Sequence, residues 1–324
     1  MSDALALRAP AKLNLGLRVL GRRPDGFHEL ETIFVAIDLC DELCATRRAE
    51  PGVGLRLIAE QQGGLPVVAG DDNLVVRAAG AFLARSGAEG GFDVVLRKRI
   101  PAGGGLGGGS ADAAAMLCLA QSLCGAPLSE AALAEIALAL GADVPFFLRG
   151  PFCDAVTCFA RGVGEQLWPM PDQPPRHFVL VLPPFGTPTK AVFHALASRL
   201  TETVAPAMVR ATETPTASEF AVIEAGGNQL EEPAMQCTPG LRDLRQSLVA
   251  SLEGEDVRVR MSGSGSTLFV ESASAAQADR IAVRIQAALA RRPDPGGAVR
   301  VLRANALAAP LRPGRVAWSS RDQG

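Results

Sequence analysis

The chain has 324 residues, 48% apolar and 20% charged, enough to bury the core of one large domain or two ordinary ones and too apolar for a disordered or fibrous chain. Thirty-two basic against thirty-four acidic residues leave a formal charge of -2, so no global positive field exists to hold nucleic acid or an anionic membrane, and an anionic ligand must be gripped locally. No apolar run reaches the ~18 to 20 uncharged residues of a bilayer-spanning helix, and Met1-Ser2-Asp3 opens no basic-then-apolar segment, so a cytoplasmic chain without membrane or nucleic-acid partners is expected.

In chain order, Ala11 to Leu20 alternates polar and apolar positions, the period of a strand that puts Lys12 and Asn14 on one face. Arg22-Arg23-Pro24-Asp25-Gly26 reads as a turn, followed by a second extended run from Phe27 to Leu39, so that two neighbouring strands line one cleft. A helix is predicted over Asn73 to Ser86 and a strand over Phe92 to Ile100, with charges at Arg97, Lys98 and Arg99. That strand runs into a glycine-rich segment whose Ser110 is a predicted N-cap for a helix through Cys124. A helix over Glu130 to Leu140 is expected to end in a left-handed Gly141, leaving Asp143 on a loop that Pro145 holds extended.

The Pro-rich stretch 169–175 marks a domain boundary near residue 172. Beyond it come a strand at His177 to Leu182, a helix from Thr189 to Leu200, a Thr/Pro-rich connection over 201–216 and a helix from Leu241 to Leu252. Strands at Glu255 to Met261 and Thr267 to Glu271 flank a Gly/Ser loop, and a helix from Ser274 to Arg291 precedes a strand at Ala298 to Arg303. The expected organisation is therefore 1–172, 173–308 and a surface or disordered tail over 309–324.

The strongest chemical signal is the run Pro101-Ala102-Gly103-Gly104-Gly105-Leu106-Gly107-Gly108-Gly109-Ser110-Ala111. Backbone without Cβ atoms can curl so that several N–H groups converge on one anion, with the positive end of a helix dipole behind them, and phosphate is the natural ligand. A flexible linker is the plainer reading, but a linker seldom has a charged strand before it and an Ala-rich helix after. Gly103, Gly105 and Gly108 fit G-x-G-x-x-G, yet the charged strand and the helical segment ~20 residues on disagree with a dinucleotide-binding unit. The Walker pattern and the H-R-D and D-F-G pair of protein kinases are missing.

Seven cysteines, odd in number and without C-x-x-C, read as buried free thiols rather than a disulfide framework. Three histidines without H-E-x-x-H spacing make a protein-built transition-metal site unexpected. Taken singly, Lys12 and Asn14 could be solvent-facing strand residues, Asp143 a turn residue, and Phe27 and His28 ordinary packing groups.

Their combination is more specific. A-P-A-K-L-N-L-G, P-A-G-G-G-L-G-G-G-S-A-D, L-G-A-D-V-P and S-G-S-G-S-T-L-F follow in this order, and together they resemble the GHMP small-molecule kinases. Arg23 to Leu30 and Leu140 to Pro145 resemble more narrowly the branch that phosphorylates 4-diphosphocytidyl-2-C-methyl-D-erythritol. The resemblance runs from about residue 8 to about 308, densest before 148.

It implies an α+β fold in two domains, the first like domain 2 of ribosomal protein S5 and the second ferredoxin-like, with ATP and Mg2+ in the cleft between them. It implies Lys12 and Asp143 as catalytic, Pro101 to Ala111 around the ATP phosphates, Asn14 beside the lysine, Phe27 and Phe193 around a cytosine ring and His28 at its edge. Ser262 to Thr267 would stand near the cleft, and Thr189 and Lys190 near the substrate. The chain departs from the family pattern in Phe27, commonly Tyr, in Ala111, frequently Ser, and in a longer stretch from Gly150 to Glu165. Kinases for mevalonate or homoserine would share the glycine loop but not the D-G-F-H stretch, and a catalytically silent nucleotide-binding protein would need only the loop.

Overall fold

Residues 4–316 are described by a computed structural model, except 61–64, 69, 126, 171–172, 198–213 and 292–297. The first sheet contains β1 (Ala4–Arg22), β2 (His28–Arg48), β3 (Gly52–Ala59), β4 (Gly91–Lys98), β5 (Thr157–Gly162), β6 (Gln166–Pro169) and β11 (Gly314–Val316). Its main order is β11-β1-β2-β4-β3, with β5 on β2 and β6 on β5. Strands β3 and β4 run parallel, joined through helix α1 (Leu74–Ser86), while β1 and β2 form one long antiparallel ribbon. The second sheet has the order β10-β7-β9-β8, from β7 (His177–Leu182), β8 (Val259–Met261), β9 (Leu268–Ser272) and β10 (Arg300–Asn305).

Three apolar cores follow from this layout. Helices α1, α2 (Gly108–Leu123), α3 (Glu130–Leu140) and α4 (Val144–Arg149) pack on the first sheet around Phe82, Phe92, Phe146 and Phe147. Helices α5 (Thr189–Ala197), α7 (Glu231–Cys237), α8 (Pro239–Ser251) and α9 (Ala275–Leu289) pack on the second around Val179, Leu241, Leu248 and Ile285. The third core lies between the sheets, where Ala11, Leu13 and Leu15 of β1 meet Phe178, Leu180 and Phe269, joined by Ile223 of α6 (Ala217–Gly226). Strand β1 reaches all three because its ladder with β2 shifts register at Pro10/Ala11, Asn14/Gly16 and Val19/Gly21. Each bulge re-aims the side chains that follow it.

Local sequence explains most element ends. Asn73 caps α1 through Oδ1, accepting from Val75 N at 2.9 Å, and Gly87 ends that helix with φ 67°. Ser129 and Ser274 cap α3 and α9, and Thr216 with Glu219 forms a capping box at α6. Helix α2 carries alanines on nearly every side, and their small side chains let it sit buried between the first sheet, α1 and α4.

Several expectations are corrected. The cap of α2 is Gly107 in the left-handed region, so Ser110 lies inside the first turn. Gly141 is extended, with φ 166°, not left-handed. Asp143 is not in extended backbone: its φ and ψ of -85° and -15° make it the N-cap of α4, and Pro145 sits in the first turn, where its missing N–H leaves no hydrogen bond unmade. Of the described cysteine side chains only Cys40 and Cys158 are buried, while Cys44, Cys118, Cys124 and Cys237 are half-buried; all six are free thiols.

Strands β3, β5 and β6 and helices α6 and α7 stand where no element was assigned, and the strand expected from Glu255 forms only at Val259. The boundary near residue 172 and most of the 201–216 connection lie outside the described residues. The strands on either side of that boundary, β6 and β7, belong to different sheets. Gly314–Val316 pairs with Ala4–Ala6 as an exposed edge strand, so that part of the tail is ordered on the surface. Earlier in the tail, Leu311 packs against the first core and its N donates to Pro151 O at 2.7 Å, while 317–324 is outside the described residues.

Candidate active site

Four segments converge where the two sheets meet. On β1, Lys12 and Asn14 are both buried, and Lys12 Nζ donates to Asn14 Oδ1 at 2.6 Å. The same ammonium lies 3.7 Å from Asp143 Oδ2 and 5.4 Å from the centre of the Phe34 ring on β2. Burial pulls the lysine below its ordinary pKa, and the Asp143 carboxylate opposes that pull. The Asp143 side chain is about a third exposed, so the pair is shielded on the lysine side and open on the other.

The glycine segment lies directly against this pair. Lys12 N donates to Leu106 O at 2.9 Å. Gly107, with φ 71°, leaves no room for a side chain: a Cβ there would stand 2.9 Å from the Phe147 ring and 3.2 Å from Lys12 Cγ. With no side chain capping α2, the first N–H groups of this 16-residue helix carry no intrahelical partner and face the loop with the positive end of the dipole. A cavity of about 350 Å³ opens here, walled by 66–68, 72–74 and 100–110 together with Lys98 and Asp112. A larger hollow of about 740 Å³, lined by residues between 224 and 260, touches neither Lys12 nor Asp143, so size alone does not mark the site.

The loop at Ser262 to Thr267 completes the wall. Ser262 Oγ donates to Gly105 O at 2.9 Å and Thr267 N to Gly104 O at 3.1 Å. A Cβ on Gly105, whose φ is 74°, would lie 2.3 Å from Ser262 O, so glycine is required both for the turn and for the approach. Asn228, which the sequence gave no reason to single out, donates from Nδ2 to Met261 O and Gly263 O and steadies that loop.

Behind the glycine segment lies a second charged cluster that sequence reading missed. Lys98 Nζ bonds Asp41 and, at 2.6 Å, Asp112 Oδ2, and all three residues are buried. Asp41 Oδ1 also accepts from Arg99 N and Ile100 N, fixing the exit of β4 into the loop. Burial raises Asp112 to about 7, opposed by Lys98 and reinforced by Asp41. Burial pulls Lys98 down, but its two carboxylates outweigh it and the net shift is upward. The available signal was period: Phe92, Val94, Leu96 and Lys98 share one strand face, and a lysine in that row demands a buried counter-charge.

The expected base-recognition residues are placed unevenly. The turn into β2 is held by Gly26 N to Arg23 O and by Phe27 N to Asp25 Oδ1, and it leaves Phe27 60% exposed. His28 stacks on Phe193 with ring centres 5.0 Å apart at 27°, so one face of Phe193 is covered by histidine. His28 Nε2 and Glu29 Oε2 are buried without a hydrogen-bond partner, although Arg23 Nη1 lies 3.6 Å from Glu29 Oε2 as an ion pair. Burial lowers His28, helped by Arg22, and raises Glu29 despite Arg23. Thr189 Oγ1 meets Ser264 Oγ at 2.8 Å, whereas Lys190 is exposed on the first turn of α5.

Comparison with known proteins fits this geometry. Residues 73–151 match the family GHMP kinases N terminal domain, and residues 208–291 match GHMP kinases C terminal. The chain is 40% identical over 288 residues to a 4-diphosphocytidyl-2-C-methyl-D-erythritol kinase of Xanthomonas axonopodis pv. citri, 89% of each chain being covered. A relative of the same name from Halorhodospira halophila is 40% identical over 289 residues, with 88% of each chain covered. A crystal structure of 4-(cytidine 5'-diphospho)-2C-methyl-D-erythritol kinase superposes with TM-score 0.68 and 35% identity, covering 94% of this chain and all of that one. A homoserine kinase from Cytophaga hutchinsonii reaches TM-score 0.67 at 19% identity over 98% of each chain, a likeness of fold alone.

Proposed function

The chain belongs to the GHMP kinases and, among them, to the 4-diphosphocytidyl-2-C-methyl-D-erythritol kinase family, and on that footing we propose the reaction and the roles that follow. The enzyme transfers the γ-phosphoryl group of ATP to the 2-hydroxyl of 4-diphosphocytidyl-2-C-methyl-D-erythritol, giving the 2-phosphate and ADP, a step of non-mevalonate isoprenoid precursor biosynthesis. The observation that carries the mechanism is the 3.7 Å between the Lys12 ammonium and the Asp143 carboxylate, close enough for both to touch one hydroxyl.

Phosphoryl transfer passes through a loose transition state, so the protein's work is to align the two oxygens and to offset charge on the moving group. Pro101 to Ala111 would hold the phosphates by backbone N–H groups and the α2 dipole. Lys12, buried with a single neighbouring carboxylate, would offer its ammonium to the transferring group. A carboxylate is too weak a base to deprotonate an alcohol beforehand, so Asp143 would orient the hydroxyl and take its proton late, as the oxygen–phosphorus bond forms.

At the substrate end, Phe27 offers an open ring face for cytosine, and the unpartnered His28 Nε2 would meet the base edge. Because His28 covers one face of Phe193, a base held between Phe27 and Phe193 would use the other face or displace the imidazole. Mg2+ would enter with the triphosphate, whose oxygens are hard ligands of the kind it prefers. Ser110, in the first turn of α2 on the cavity wall, would supply a protein oxygen to the ion, which when bound offsets phosphate charge. No helix of the described residues is long and apolar enough to cross a membrane, and we place the enzyme in the cytoplasm, with its lobes dividing near residue 172.

A panel of alcohols in an ADP-release assay tests the reaction. Turnover is expected with the diphosphocytidyl substrate and not with mevalonate or homoserine. Turnover of either of those, with none of the diphosphocytidyl compound, would overturn the assignment.

A further inference from the structure

Lys12 and Asn14 are held by a hydroxyl group from the neighbouring strand. Thr32 on β2 is completely buried; its Oγ1 donates to Gly16 O at 2.6 Å and accepts from Asn14 Nδ2 at 2.8 Å. Asn14 Oδ1 then accepts from Lys12 Nζ at 2.6 Å. Counting hydrogens leaves one arrangement. An ammonium can only donate, and a threonine hydroxyl whose single hydrogen goes to a carbonyl can only accept from its other neighbour. The asparagine amide is therefore turned with its oxygen to the lysine and its N–H to the threonine.

The β1–β2 ladder shifts between Asn14 and Gly16, leaving Leu15 without an opposite residue beside this bond. The peptide at Gly16 is also pressed by α6: a Cβ there would stand 2.1 Å from Ile223 O. The relay thus runs from α6 through Gly16, Thr32 and Asn14 to the lysine.

We propose that Thr32 is a positioning residue for phosphoryl transfer, fixing the Asn14 amide so that the Lys12 ammonium is held towards the reacting groups. The proposal rests on the reading of Lys12 as catalytic. The groups facing that ammonium are Asn14 on its own strand, the Phe34 ring on β2, the Asp143 carboxylate ahead of α4 and the turn at Gly263. Among these Asp143 carries the one charge.

Thr32→Val keeps the shape of the side chain and removes the hydroxyl. It is expected to lower kcat about ten-fold, the size of one net hydrogen bond, while KM for ATP changes by less than about two-fold. The basic limb of the kcat–pH profile is expected to move to lower pH, because a freed amide can turn its N–H groups to the ammonium and disfavour its charged form. Thr32→Ser is expected to restore both. If the valine variant does not fold, Thr32→Cys, a weak donor of similar volume, serves for the same comparison. A wild-type kcat and pH limb in the valine or cysteine variant, or equal losses with serine, would overturn the proposal. A wild-type kcat in Lys12→Met would instead sink the reading on which it rests.

Discussion

Two buried lysines stand on either side of the glycine loop, and their surroundings are opposite. Lys98 meets two buried carboxylates and is shifted up in pKa; Lys12 meets one partly exposed carboxylate and is shifted down. A lysine that is over-neutralised inside the protein has nothing left to offer an anion, and its cluster ties β2, β4 and α2 together around the loop. A buried lysine with too little counter-charge keeps an unmet demand, which the phosphoryl group in flight can supply. The difference separates a staple from the reagent we propose Lys12 to be, though both are lysines on strands leading to the same cleft.

The comparison can be broken most forcefully at Lys12. Lys12→Met is expected to lower kcat about 10²- to 10³-fold, the usual cost of removing one preorganised charge donor, with little change in denaturation midpoint. An unfolded or fully active variant would erase the distinction. Lys98→Met should reverse the pattern, costing about 3 to 5 kcal/mol of stability because two carboxylates are left buried without a cation. Equilibrium denaturation in urea reads that loss, and a midpoint equal to that of the wild type would show that the cluster holds nothing together.

A finer test uses pH. Asp112 is raised to about 7 in the folded protein from an ordinary carboxylate value near 3.8, so the folded state binds its proton more tightly than the unfolded chain. Its contribution is neutral below pH ~4, where both states are protonated, and becomes increasingly destabilising as pH rises towards 7. Asp112→Asn removes that titration. The stability of the wild type relative to this variant should therefore fall between pH 4 and 7 and level off above, as read by denaturation at stepped pH. A flat difference would mean that Lys98 keeps Asp112 fully ionised.

The sequence made the reagent side of this contrast more legible than the staple side. Alternation over Ala11 to Leu20 put Lys12 and Asn14 together on one face, and the glycine run announced a tight loop opening α2, because both signals are local. The Lys98 cluster draws Asp41, Lys98 and Asp112 from three elements, and no local pattern pairs them. The bulge at Leu15 and the approach of Ile223 to Gly16 are likewise set by distant packing.

Asp143 was recognised by motif but given the wrong backbone. A proline disfavours helix in the residue before it, yet in a first helical turn it is tolerated, and Val144 and Pro145 open α4. Strands β5 and β6 escaped because they are short, and β5 is buried along its whole length, so no alternation marks it. The stretch beginning at Gly150 thereby acquires a role as the chain that carries β5 onto β2.

The central claim is that Lys12 and Asp143 meet one acceptor hydroxyl while the glycine loop holds the nucleotide independently of them. Single-turnover transfer by Asp143→Asn, measured alongside ATP affinity by calorimetry, tests it directly. Transfer should fall by about 10²- to 10⁴-fold with ATP affinity within about two-fold of the wild type. Transfer at the wild-type rate, or ATP affinity lost along with it, would contradict the account.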